Sequence, residues 1–231
     1  MLRNIGIFIL CSGLAAVIFT SGVMAYYLFE ELAAYGGVMQ TSQKLQEKID
    51  KNKEKRENKK AEKIEKVEKN KIAGIPEKDF SQPAESVFFT TAAEDNMRLI
   101  EINGEMYTGI LSIPSLSLSL PINASWSYER LKKSPCRYSG SISDSMVICA
   151  HDYKSHFGRL SKIQCGDAVT ITDAAGREYK YKAVSVSLLD ETAVNEMINS
   201  PYELTLFTCD SKDDTKRVAV RCVSSVRHSF P

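Results

Sequence analysis

Hydrophobic and polar positions divide the chain into three stretches of different character. From Ile5 to Phe29 no charged side chain occurs for 25 positions. As a helix at about 1.5 Å per residue such a run is about 37 Å long, enough to cross a bilayer. Lys44 to Lys71 is the opposite: it has no proline or glycine, and only Leu45, Ile49, Ile64 and Val67 offer an apolar face. Glu and Lys recur there at three- and four-residue spacing, which favours a solvated helix. From Met106 onward short apolar runs alternate with turn signals, at 110–113, 116–120, 146–150, 168–172, 179–188, 204–208 and 218–223. Asp173-Ala174-Ala175-Gly176 reads as a hairpin turn. Strands at this spacing predict an all-β closed barrel or sandwich. Helical spacing is confined to 128–133 and 192–199.

Charge and flanking residues refine the first two stretches. A secretory leader has an apolar core of about 7 to 15 residues and a small-x-small cleavage site; this run is far longer, and Val23-Met24-Ala25 is a poor site. A retained anchor is the expectation. Arg3 precedes the run and Glu30 and Glu31 follow it, which places the N-terminus in the cytoplasm and the remainder outside the cell membrane. Lys44 to Lys71 carries 12 Lys/Arg against 7 Asp/Glu, a composition that cannot bury a core and reads as a charged stalk. Its positive excess is also suited to a salt-sensitive hold on anionic lipid or wall polymer. The whole chain has a formal net charge of only +1, so what lies beyond the stalk is net acidic, and nucleic acid is excluded as its partner. The expected organisation is a cytoplasmic tip and transmembrane anchor at 1–30, a stalk and hinge at 31–83 with Gly74 to Pro83 as the hinge, and a folded domain at 84–231. No internal repeat is visible.

Of six cysteines, Cys11 falls in the apolar run. The five others, Cys136, Cys149, Cys165, Cys209 and Cys222, are odd in number, so at least one thiol stays free or pairs between chains. Cys149 and Cys222 sit inside apolar strands, where cysteine behaves as a small hydrophobe. None stands with a histidine at zinc-ligand spacing, and no metal is expected at them.

Three residues at strand ends carry the candidate chemistry. Leu204 to Asp210 is an apolar strand that delivers Cys209 to a polar loop. Ser145 to Asp152 is built alike and delivers His151; His156 lies five residues on in the loop and His228 near the C-terminus. After the loop from Asp210 to Lys216, another strand opens with Arg217. A thiol needs a nearby cation or base, since at its free pKa of about 8.5 little is thiolate at neutral pH. Arg217 faces Cys209 across the expected hairpin, whereas Arg221 lies about 13 Å further along the strand. Nucleophile, base and fixed cation together suit acyl transfer through a thioester, with Cys209 attacking, His151 protonating the leaving amine and Arg217 stabilising the oxyanion or holding substrate backbone.

The Thr205-Leu206-Phe207-Thr208-Cys209 string, His151 ending one strand and Arg217 opening another together resemble the sortases, bacterial surface cysteine transpeptidases. Tyr107 to Pro114 with Leu118 to Ile122, and Cys165 to Val169, are similar to further family segments, so the resemblance spans about residues 105 to 224. It implies an eight-stranded sortase-like β-barrel with short helices, here preceded by the transmembrane helix and charged helical stalk. It also implies a donor with a C-terminal LPxTG-like sorting signal cut after Thr, and an acceptor amine from a peptidoglycan precursor or a pilin lysine. Ala150 stands where the family usually has glycine, and Asp152 follows the histidine, where it biases protonation. No apolar segment follows Val226 and no Asp-Pro-aromatic lid precedes the domain, which speaks against the pilin-polymerising type; the class is left unassigned. Family members can bind calcium near Asp190, Glu191 and Glu196, but scattered acids are ordinarily surface charge and no cofactor is assigned. A hydrolytic thiol peptidase on the same scaffold and a non-catalytic extracytoplasmic binding barrel remain the alternatives at this point.

Overall fold

The computed structural model describes residues 2–72 and 98–225. The hinge expected at Gly74 to Pro83, the domain start at 84 and His228 lie outside the described residues. A single helix, α1 (Leu2–Ile72), covers both the apolar run and the charged stretch. Within the apolar run the hydroxyls of Thr20 and Ser21 donate back to the carbonyls of Ala16 and Val17, at 2.9 and 2.7 Å. Such bonds satisfy the hydroxyls within the helix itself.

The remainder is a mixed sheet that closes on itself. Its strands are β1 (Ile100–Ile102), β2 (Glu105–Ile113), β3 (Leu118–Asn123), β4 (Cys136–Ser141), β5 (Asp144–Cys149), β6 (Ala168–Asp173), β7 (Glu178–Asp190), β8 (Leu204–Asp210) and β9 (Asp213–Ser224). The order is β1-β2-β3-β4-β5-β8-β9-β7-β6, and β6 pairs back onto β2, so eight strands form a ring with β1 as a short ninth at its edge. All pairings are antiparallel except β3 with β4 and β5 with β8. Closure happens where β2 changes register at Gly109, opposite Asp173 of β6. A Cβ at Gly109 would run into the Thr172 carbonyl, so only glycine lets the two backbones meet there. Two short helices, α2 (Tyr128–Leu131) and α3 (Val194–Ile198), fall inside the segments whose spacing predicts them. The N-cap of α2 is Ser127, whose side chain accepts from the Arg130 backbone N–H.

Alternate residues of the strands fill the ring. Leu111, Ile113, Ile122, Met146, Ile148, Ile171, Leu204, Leu206 and Val220 are buried in one cluster. The predicted turn at Asp173 to Gly176 is present. The Asp173 carboxylate accepts from the backbone N–H groups of Ala175 and Arg177 and from the Arg177 side chain, and Gly176 takes φ +75°, which favours glycine.

The charged stretch does not stand clear of the barrel. Leu45 and Ile49, spaced four apart and therefore on one face of α1, are buried against Ile100, Ile102, Tyr107, Ile110 and Ala174. Val38 joins the main core. Polar residues beside them reach barrel carbonyls: Ser42 Oγ donates to Ser119, Lys48 Nζ to Glu101 and Asn52 Nδ2 to Ala174. Two apolar side chains buried at about 1.5–3 kcal/mol each are enough to hold a helix whose other faces are charged. The composition alone pointed to a stretch unable to bury a core; two well-placed positions change that over residues 38–53.

Candidate active site

Hydrogen bonding between β5 and β8 aligns the strands that deliver two of the three candidate side chains. The parallel register pairs Cys149 with Phe207, the Ala150 N–H donates to the Phe207 carbonyl at 3.2 Å, and Thr208 Oγ1 donates to the Ala150 carbonyl at 2.8 Å. His151 and Cys209 each lie two positions beyond the last pair of that ladder, Cys149 with Phe207, at the same end of neighbouring strands. On the other side, the antiparallel β8–β9 ladder pairs Cys209 directly with Arg217. β5, β8 and β9 are adjacent in the sheet, about 4.8 Å apart, so the three residues lie at one rim of the barrel. Leu204 and Leu206 point into the core, so the alternation along β8 turns Thr205, Phe207 and Cys209 to the outer face.

His151 is held by a loop anchored in the core. Phe157 is fully buried, its N–H donates to the His151 carbonyl at 3.0 Å, and the N–H groups of His156 and Gly158 both donate to the Tyr153 carbonyl. Tyr153 stacks on the His151 ring at 4.8 Å between centroids and 18° between planes, and lies 5.4 Å from the His156 ring. His156 is fully buried, and burial with the neighbouring His151 charge pushes its pKa down to about 4. His151 is half-buried, and desolvation lowers its pKa although Asp152 and, from α1, Glu30 pull it up. Desolvation likewise raises the Cys209 thiol above its ordinary value, opposed by the Arg217 charge and assisted by Asp152 and Asp214. Both shifts favour the neutral forms, thiol and imidazole.

The two arginines differ as their positions on β9 suggest. Arg217 is only partly buried; its guanidinium donates to the carbonyls of Asp214 and Lys216 and pairs with Glu191 at 3.2 Å. That grip fixes the head of the side chain at the mouth of the β8–β9 hairpin. Arg221 is 6 % exposed and is consumed by structure, donating to Thr205 Oγ1 at 2.9 Å and to the carbonyls of Glu196 and Met197. It ties the α3 segment to β8. Asp190, named above for calcium, is occupied by Thr192 and Lys216, and Glu191 by Arg217; the described residues contain no group of three acids, histidines or cysteines gathered as metal ligands.

Cys136, Cys149, Cys165, Cys209 and Cys222 are all free thiols. Cys136, Cys149 and Cys222 are buried, and burial raises their pKa, for Cys136 and Cys222 to about 12. Cys209 alone combines partial exposure with an adjacent cation that lowers its pKa. Two features were not anticipated from sequence. Tyr153, two residues after the histidine, had only a loop tyrosine's ordinary signal. An edge-to-face aromatic row from Tyr128 through Trp126 and Tyr138 to Phe207, at 5.1, 5.8 and 5.5 Å, draws on residues too far apart in the chain to show a pattern.

Residues 111–225 match the family model of the sortase domain. The chain belongs to the sortase family. Sortases are cysteine transpeptidases, and the matched region contains His151, Cys209 and Arg217. Among solved structures, sortase C2 of group B Streptococcus pilus island 1 is 26% identical, with 55% of this chain and 77% of that one covered at a TM-score of 0.48. Sortase C from Clostridium perfringens is 24% identical over 52% and 71% of the two chains at 0.46, and sortase A from Listeria monocytogenes 23% over 52% and 88% at 0.47. No curated protein matches.

Proposed function

We propose that this sortase is a single-pass membrane protein, N-terminus in the cytoplasm, that cleaves an LPxTG-like sorting signal and transfers the surface protein to a cell-wall or pilin amine. Cys209 is the nucleophile. The thiol proton passes to His151 as the sulfur bonds to the threonine carbonyl carbon; the C–N bond of the signal then breaks, and the leaving amine takes that proton from the imidazolium so formed, which leaves a thioester on Cys209. An acceptor amine then attacks the thioester and gives its proton to His151, the C–S bond breaks, and His151 returns the proton to the departing sulfur, which restores the thiol. Arg217, fixed at the rim by Glu191 and two carbonyls, presents N–H groups to the oxyanion or to substrate backbone.

What supports this reading is Cys209 paired with Arg217 across the β8–β9 ladder, with His151 two residues beyond the Cys149–Phe207 pair that joins β5 to β8. The test is incubation of the protein with sorting-signal peptides and candidate amines, with products read by mass spectrometry. Amine-linked product supports transfer; free acid alone, whatever amine is added, makes the protein a hydrolase. Arg217→Ala is expected to lower kcat/KM by about 10²–10³, the scale of losing one oxyanion donor, while Arg221→Ala lowers stability more than rate. The reverse order would reassign the arginine.

A further inference from the structure

Three observations meet where α1 leaves its uncharged run. The apolar surface of the helix does not stop at Phe29: Leu32, Tyr35 and Met39 are 69%, 56% and 52% exposed. That is a strip continuing about 15 Å beyond the run, of the kind that marks a surface normally covered. Between this strip and the loop after His151 lies a cavity of ≈ 480 Å³, walled by Leu28, Leu32 and Tyr35 of α1 and by Lys154, Ser155 and Arg159 of the loop. Its volume falls within the roughly 300–1,000 Å³ of small-molecule sites.

The polar wall has unused capacity. Ser155 is 8% exposed, and its Oγ and the Nε of Arg159 are buried with no partner among the described residues, a state that ordinarily calls for an unseen ligand or water. Glu31, the carboxylate on the lining, accepts from the Lys154 N–H at 3.1 Å and lies 4.0 Å from its ammonium. Arg159 has no carboxylate partner among the described residues and is the surplus cation. An apolar wall continuous with a membrane-crossing run, facing a cationic wall with free donors, matches an amphiphile with a negative head.

We propose that this cavity is a binding site for an anionic phospholipid, with the phosphate against Arg159, Ser155 and Lys154 and the first part of an acyl chain along Leu28, Leu32 and Tyr35. The occupant is a lipid of the surrounding leaflet and not free phosphate, because half the wall is apolar and opens onto the helix as it leaves the bilayer. The bound lipid fixes the loop that carries His151 at headgroup level, so Cys209, His151 and Arg217 work at the membrane surface. This rests on the anchor reading of residues 5–29 given above.

The test uses the full chain in nanodiscs of phosphatidylcholine with a minority of phosphatidylglycerol, the lipids that stay with the protein being counted by native mass spectrometry. Phosphatidylglycerol is expected to be retained in preference by roughly tenfold, about one charged hydrogen bond. The preference should vanish in the Lys154→Gln/Arg159→Gln double variant. If that variant melts early and fails to fold, Lys154→Gln alone, on a side chain that is 83% exposed, should still reduce it. Equal retention of the two lipids, or an unchanged preference in a folded variant, would overturn the site. Displacement by inorganic phosphate alone would overturn the lipid in favour of a simple anion. A chain that does not enter nanodiscs at all overturns the anchor and the site with it, whereas entry without headgroup preference overturns the site only.

Discussion

At the scale of single residues, the site is defined by opposing influences on two titrating groups. Burial raises the Cys209 thiol and lowers the His151 imidazole, while Arg217 pulls the thiol down and Asp152 pushes both groups up. Alkylation of Cys209 by iodoacetamide should therefore show a midpoint above that of an ordinary thiol. Arg217→Ala should move the midpoint higher, because a cation that stabilises thiolate is gone, and Asp152→Asn should move it lower. A midpoint unchanged in both variants would place neither charge near the sulfur. His156 makes a second prediction. A base whose folded pKa is depressed binds fewer protons folded than unfolded, so its contribution is whole above about pH 6.5 and is lost as pH falls towards 4. The loss comes to about 3 kcal/mol on the usual conversion of pKa shift to free energy. Urea unfolding followed over that window should show the decline, and His156→Gln should flatten the slope whatever it does to the absolute level.

At the scale of elements, the docking of α1 depends on Leu45 and Ile49. Replacing Ile49 by Ala removes buried atoms from a small cluster with Ile100, Ile102, Tyr107 and Ile110 and should cost about 2–5 kcal/mol, the usual range for such a truncation. Denaturant midpoints of the full chain in detergent check it; a change within ±0.5 kcal/mol would mean the helix is not held there. This docking was not legible in the sequence, because a period of hydrophobicity cannot be seen in two positions among a majority of charges. The strands divide the same way. Those with continuous apolar runs, such as 146–150 and 204–208, announce themselves. β4 reads Cys-Arg-Tyr-Ser-Gly-Ser, with one core side chain, and exists because it bridges β3 and β5; β1 is three residues long and exists because β2 offers a free edge. Tertiary pairing makes these strands, and no local pattern encodes it.

At the scale of the molecule, one topological fact brings residues 151, 209 and 217 to the ends of neighbouring strands. Two parallel crossings, at β3–β4 and β5–β8, place β8 between β5 and β9, so the ends of three strands distant in sequence become neighbours on one rim. Each strand end was legible because an apolar run stopping at a polar residue is a local signal; their order around the ring was not, because it is set by strand pairing distant in sequence. The long N-terminal helix completes the arrangement. It reaches the loop of His151 through Glu31 and Lys154, then runs along the barrel to Asn52 at the Ala174 turn, so barrel contacts begin within two residues of the end of the uncharged run. The central claim is that the Cys209 thiol forms the covalent bond to substrate. The most direct measurement is to react the protein with a sorting-signal peptide lacking any acceptor amine, quench in acid, and map the acyl adduct by peptide mass spectrometry. A thioester on Cys209 is expected, absent in Cys209→Ala and strongly reduced in His151→Ala; an adduct on another residue, or cleavage that persists in Cys209→Ala, would remove Cys209 as the nucleophile.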